Sequence, residues 1–167
     1  MSLTPSFNPT GIASTLKDLN QIDPQLAKAA RTRIKEAANP LVAAARGFIP
    51  TDSPLSGMTR SKRLGWRSGS VRSGISAKVS TKPARNGHIP LLSVIQKNPA
   101  GAMWDMAGRA SGGVTPQGRA MVRNLAGRPS RSMWPAAEQT MPTVEENLRI
   151  AIKDLEDTMA VLLGKDR

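Results

Sequence analysis

The chain has 167 residues, of which 39% are apolar and 3% aromatic, with 14 Gly and 13 Pro; this suits one domain with a thin aliphatic core and long loops, and is short for two. It has no cysteine, which excludes disulfides, thiolate metal sites and thiol redox chemistry. It has no apolar run near about 18 residues and no charged-then-apolar start, so a soluble chain with no membrane contact and no conventional secretion is expected. The net charge of +12 is uneven, because residues 53 to 137 carry 14 Lys or Arg against Asp105 alone, while residues 138 to 167 carry 4 bases and 7 acids.

Taken in order, residues 1 to 12 are rich in Ser, Thr, Pro, Gly and Asn and read as an N-terminal arm without a fold of its own. The remainder, 13 to 167, reads as a single α+β domain. From Ala13, Leu16, Leu19 and Ile22 form a short helical stripe. Asp23 before Pro24 then supplies an N-cap and a first-turn proline for a second helix. Its face of Leu26, Ala30, Ile34, Ala37, Leu41, Val42 and Ala45 continues to about Arg46, with Pro40 imposing a kink or restart at Asn39. The small Ala positions suit close approach to the final helix.

A basic loop follows at 51 to 73, where Arg60, Lys62, Arg63, Arg67 and Arg72 surround Leu64 and Trp66. Charges this close repel in a free subunit, so the loop is expected to order only against a polyanion or an acidic protein face. Ile75, Ala77 and Val79 alternate with Ser76, Lys78 and Ser80 as a strand. After the Asn86-Gly87 turn, Leu91 to Gln96 pairs back as a hairpin, with Pro90 at an edge. Asn98 and Pro99 open a short, buried helix through Met103 and Trp104 that Gly108 ends. Residues 109 to 118 are a Gly-rich loop, and Arg119 to Leu125 suit one or two helical turns. The segment with Arg128, Arg131 and Trp134 leads to a final helix. That helix is expected to start near Thr143, where Thr143 and Glu146 match a capping box just after Pro142. Val144, Leu148, Ile152, Leu155, Met159 and Leu162 draw its buried apolar stripe. The fold expected is two long helices packed on a small, mainly antiparallel sheet, with long basic and Gly-rich loops.

Catalytic residue sets are sparse. His88 is the single histidine, beside a turn, and Asp105, the one acid in the basic middle, is expected to pair with an arginine. No His, Cys or carboxylate set has ligand spacing and no phosphate-binding glycine pattern occurs in context, so no metal, cofactor or enzymatic activity is expected. The basic loop with Trp66 suits sequence-tolerant nucleic-acid binding, with cations on phosphates and a ring on a base. Equally, the acidic final helix of one subunit suits the basic middle of the next.

The order of features adds to this reading. An Ala-rich helix ending at Ile49 and Pro50, a Ser53-Pro54-Leu55-Ser56-Gly57 turn, a basic loop, a hairpin, the Ala100 to Arg109 stretch, a Gly-rich loop, the Arg128 to Pro135 segment and a last helix together resemble the head-to-tail joining proteins of long-tailed bacteriophages. The likeness spans about residues 13 to 163. In that neck and tail-completion family a Pro-small-Gly turn, an aromatic and acidic stretch near a Gly, and an Arg-Pro-aromatic-Pro-Ala stretch stand where Pro50 to Gly57, Trp104 to Gly108 and Arg128 to Ala136 stand here. The loops at Thr51 to Arg72 and Arg109 to Arg128 are longer than the family's. The resemblance implies a non-enzymatic virion protein that forms a homo-oligomeric ring, a hexamer by expectation. Such a ring touches other neck and tail proteins and surrounds genomic DNA without reading its sequence. Trp66, Arg67, Arg72, Trp104, Asp105, Arg128, Arg131 and Trp134, with Arg60, Lys62 and Arg63, are its candidate interface residues. The alternative is a basic, sequence-tolerant nucleic-acid-binding protein.

Overall fold

A computed structural model describes residues 9–54, 58–59, 64–82, 91–107, 116 and 130–164. Among them are six helices and one two-stranded sheet: α1 Pro9–Ile22, α2 Pro24–Glu36, α3 Asn39–Gly47, α4 Ser68–Gly74, β1 Ile75–Val79, β2 Leu92–Gln96, α5 Pro99–Met106 and α6 Met133–Gly164. The fold is therefore α+β and mostly helical. Ser80 N–H donates to Leu91 O at 3.0 Å and Lys97 N–H to Gly74 O at 3.0 Å, a register that runs the strands antiparallel. The turn from Pro83 to Pro90, with Asn86, Gly87 and His88, lies outside the described residues.

The chain packs as two compact units, one built from residues up to Ala38, Ala77–Ser93 and residues from Glu145, the other from Asn39–Ser76 and Val94–Val144. In the first unit, Leu16 and Leu19 of α1, Ala27, Ala30 and Ile34 of α2, Leu91, and Ala151 and Leu155 of α6 form one apolar cluster, with Leu148 and Met159 against it. The apolar stripe of the last helix thus finds its partner surface within its own chain, on α1 and α2. The alanines at 27, 30 and 151 let the helices approach closely. Asp23 caps α2, its Oδ1 accepting the Gln25 and Leu26 N–H groups, each at 2.9 Å. Arg33 and Asp154 pair across α2 and α6, both largely exposed, so the pair contributes little beyond orientation. In the second unit the buried apolar residues include Ala45, Ile49, Met58, Val71, Ile75, Ala100, Ala136 and Val144. Leu162 lies in α6, and its side chain falls outside what is described.

Several boundaries differ from those the sequence suggests, each for a local reason. Helix α1 starts at Pro9 rather than Ala13, which suits a residue pre-set for a first turn and without an N–H to satisfy. The kink or restart expected at Asn39 is a restart, since α2 stops at Glu36 and α3 begins at Asn39 before Pro40. Among the described residues α6, of 32 residues, is the longest helix, and a second helix of comparable length is not among them. The basic loop does not run to residue 73, because α4 occupies Ser68–Gly74. The largest difference is the start of α6 at Met133. Pro142 sits inside it and lacks an N–H for the carbonyl of Glu138, but Glu138 is exposed, where water can serve that carbonyl. Thr143 and Glu146 therefore sit mid-helix, and Glu146 bonds Arg149 at 2.5 Å on the surface instead of capping.

Leu155 is 5% exposed within the first unit's cluster. Leu155→Asp is expected to lose more than the roughly 2–5 kcal/mol typical of a buried Leu→Ala change, because it adds an unpaired carboxyl to an apolar site. Chemical denaturation checks this, and an unchanged midpoint contradicts the packing described.

Candidate functional site

The start of α6 is held by a residue from another helix. Asn98 caps α5, its Oδ1 accepting the Gly101 N–H at 3.1 Å, with Pro99 at the first helical position. Two turns of α5 then carry Trp104 and Asp105 to the start of α6. Asp105 is 5% exposed, and its Oδ1 accepts the Ser132 N–H at 2.7 Å and the Ser132 hydroxyl at 2.5 Å. The Arg131 N–H donates to Asp105 O at 3.2 Å, and the Arg131 guanidinium donates to Trp104 O. Ser130 Oγ accepts the Trp134 N–H at 2.7 Å. Ser132 O receives the first helical bond, from Ala136 N–H at 3.1 Å. Ser132 is thus the N-cap, and a buried carboxylate placed there satisfies its otherwise unpaired amide and opposes the positive end of the helix dipole. Burial pushes the Arg131 guanidinium below its ordinary value, and the Asp105 charge beside it pulls the other way.

Trp104 links this cap to the preceding segment. Its ring meets that of Trp66 edge to face, with centroids 5.9 Å apart and planes at 64°, a favoured aromatic arrangement. The Trp66 indole N–H donates to Pro50 O at 3.2 Å, and its backbone N–H to Met58 O at 2.9 Å. Arg72 Nη2 donates to Ile49 O at 3.0 Å, while Arg46 donates to Arg72 O at 3.0 Å and to Ile75 O at 2.8 Å. Gln96 ties α4 to the start of α5, its side-chain N–H donating to Val71 O at 3.0 Å and its Oε1 accepting Asn98 N–H at 2.9 Å. Gly74 and Gly101 flank that amide so closely that a β-carbon on either would come within 3.0 Å of it.

The structure therefore brings four of the candidate interface residues, Trp66, Trp104, Asp105 and Arg131, into one connected node of the second unit. Arg72 also works inside that unit, on a backbone carbonyl. Arg67 is exposed before α4, and Trp134 is 52% exposed with its indole N–H donated to Glu138 at 2.8 Å. Arg60, Lys62, Arg63 and Arg128 lie outside the described residues. The expected pairing of Asp105 with an arginine takes a particular form: Arg131 is its charge neighbour, while Ser132 supplies the N–H and hydroxyl hydrogens to its Oδ1. The short helix α5 is buried on one side only, since Met103 and Met106 are exposed by 42% and 52%. Ser130, Ser132, Arg46 and Gln96 escape the sequence reading. For the two serines the signal is present, as cap-type residues ahead of Met133, but the boundary placed at Thr143 hides it.

Chemically the node is a clamp. Ser132 is 2% exposed and its hydroxyl is committed to Asp105, so the pair presents no accessible nucleophile. Among the described residues no group of three or more His, Cys, Asp or Glu is placed to hold a metal ion. No helix among them is long and apolar enough to cross a membrane. Comparisons with protein-family models, characterised proteins and solved structures found no match.

Asp105→Ala leaves the buried Ser132 N–H and hydroxyl without their acceptor, which costs about 1–3 kcal/mol per unsatisfied group. Asp105→Asn keeps an acceptor oxygen and is expected to lose less. Denaturation midpoints in the order wild type, Asn, Ala check this, and an Ala variant as stable as wild type contradicts the clamp.

Proposed function

We propose that this chain is a structural protein of the neck of a long-tailed bacteriophage, forming a homo-oligomeric ring that joins the capsid connector to the tail around the genome passage. Its place is the virion and its work is not enzymatic. The observation that carries the reading is the convergence of the family-like segments. Pro50, from the Pro-to-Gly turn, accepts the Trp66 indole; Trp66 packs on Trp104 of the aromatic and acidic stretch; and Asp105 holds Ser132, within the Arg128 to Ala136 stretch. Segments separated in sequence but joined by buried bonds act as one scaffold, and a ring subunit needs such a rigid body between its neighbours. The ring is a hexamer in this reading, its neighbours are other neck and tail proteins, and DNA passes without sequence-specific contact.

A second reading, sequence-tolerant nucleic-acid binding, draws on the 14 Lys or Arg against one acid in residues 53 to 137. Arg72 and Arg131 count less toward it than their charge suggests, because both donate to backbone carbonyls. Light scattering on the purified protein over a concentration series, with and without fragmented duplex DNA, separates the two. The ring reading expects a discrete oligomer that grows in with concentration and needs no DNA. A monomer that binds duplex, with affinity falling steeply as salt rises, supports the alternative.

A further inference from the structure

We infer that the cleft between α1 and α6 in the first unit is filled by the side chain of Phe7 of the same chain, with Asn8 capping α1. One observation lies in the sequence at the start of α1, the other in the walls of the cleft.

Helix α1 begins at Pro9, which puts Asn8 at the capping position and Gly11 third in the helix. Asn8-Pro9-Thr10-Gly11 repeats the spacing of Asn98-Pro99-Ala100-Gly101 at the start of α5, where Asn98 Oδ1 accepts the Gly101 N–H at 3.1 Å. The repeated pattern assigns Asn8 the same work on the Gly11 amide. The residue before such a cap packs on the fourth helical residue when both are apolar. For α1 those two are Phe7 and Ile12, whereas at α5 they are Lys97 and Ala102, which cannot form the pair.

The cleft stands where that ring would lie. About 480 Å³ in volume, it is lined by Gly11, Ile12 and Thr15 of α1 and by Ile152, Leu155 and Glu156 of α6. Leu155 belongs to the apolar cluster of the first unit, and Ile12 packs against it. The hydroxyls of Ser14 and Thr15 are committed to the backbone, both donating to Gly11 O, at 2.7 and 2.9 Å. Gly11 presents no side chain, and a β-carbon there would meet nothing within 4 Å, so the side of the cleft nearest the first turn has room.

Chain connectivity selects the occupant. Residues 1 to 8 lie outside the described residues, but two residues of chain hold the Phe7 Cα within about 7 Å of the Pro9 Cα, in the first turn of a helix that lines the cleft. Of the large apolar residues ahead of Pro9, namely Met1, Leu3 and Phe7, Phe7 is the nearest and the one at the pairing position. A group from another molecule would compete with a ring tethered beside the cleft, whose effective concentration is high.

The test is solution NMR on the full-length protein with labelled Ile, Leu and Phe. Nuclear Overhauser contacts are expected from the Phe7 ring to the methyls of Ile12 and of Ile152 or Leu155. Ring-current shifts of those methyls are expected to vanish in Phe7→Ala, with Ile75 of the second unit unmoved. The chain has two Phe, so the ring signals that persist in Phe7→Ala are those of Phe48. The contacts are read in wild type itself and do not require the variant to fold. A Phe7 ring without them, or a folded Phe7→Ala that moves none of the three methyls, overturns the inference. A mixture of Phe-labelled and methyl-labelled chains detects contacts between copies, and Phe7 contacts seen there overturn the same-chain assignment in favour of a neighbouring copy. The readout is the same in a single subunit and in a ring, so it stands or falls apart from the proposed function.

Discussion

A single buried carboxylate sets much of the second unit. Asp105 takes both the backbone and the hydroxyl hydrogens of Ser132 and so fixes where α6 begins. Removing a carboxylate from water is costly. Here the cost is offset by two hydrogen bonds, the cationic neighbour Arg131 and the positive end of a helix dipole. Because the carboxylate belongs to α5, the bond joins two helices that are separate in sequence. The Trp104 ring beside it carries the connection to Trp66 and Pro50. Without the carboxylate, the buried N–H and hydroxyl of Ser132 at the N-cap of α6 would lose their acceptor.

The basic character of the chain divides along the same lines. Arg46, Arg72 and Arg131 each donate to main-chain carbonyls of the second unit. A guanidinium suits this work because its planar donors reach carbonyls at several angles while the charge stays partly solvated. Their acceptors are Ile49 O just after α3, Arg72 O and Trp104 O in the last turns of α4 and α5, and Ile75 O at the first residue of β1. Arg67 and the mixed charges on the outer side of α6 remain exposed, and surface charge of that kind governs encounter and partner choice more than folding.

The legible parts of the sequence were those with strong local signals. Asp23-Pro24 and Asn98-Pro99 open helices through cap geometry that involves neighbouring residues only. The alternation at Ile75 to Val79 yields a strand for the same reason, and the stripe through Leu148, Ala151, Ile152 and Leu155 marks the packed side of α6. What was hidden depends on tertiary partners. Nothing local to Met133 announces a start stronger than Thr143, because its decisive acceptor is Asp105, 27 residues upstream in α5. Helix α4 was hidden by Gly69, Gly74 and three serines, poor helix formers. It persists with Val71 fully buried and Val71 O accepting the Gln96 side-chain N–H. Of the candidate interface, the identities of Trp66, Trp104, Asp105 and Arg131 stood out in the sequence, while their convergence did not.

A rigid node of this kind suits a subunit that repeats around an axis, as the proposed ring requires. Whether head-to-tail contacts close depends on the rotation each contact imposes, and a rotation that fails to close gives open filaments. Electron cryo-microscopy of the purified full-length protein tests this most directly. The ring reading predicts closed rings with a central opening wide enough for duplex DNA. Isolated subunits or open filaments under conditions where the protein stays folded would contradict it.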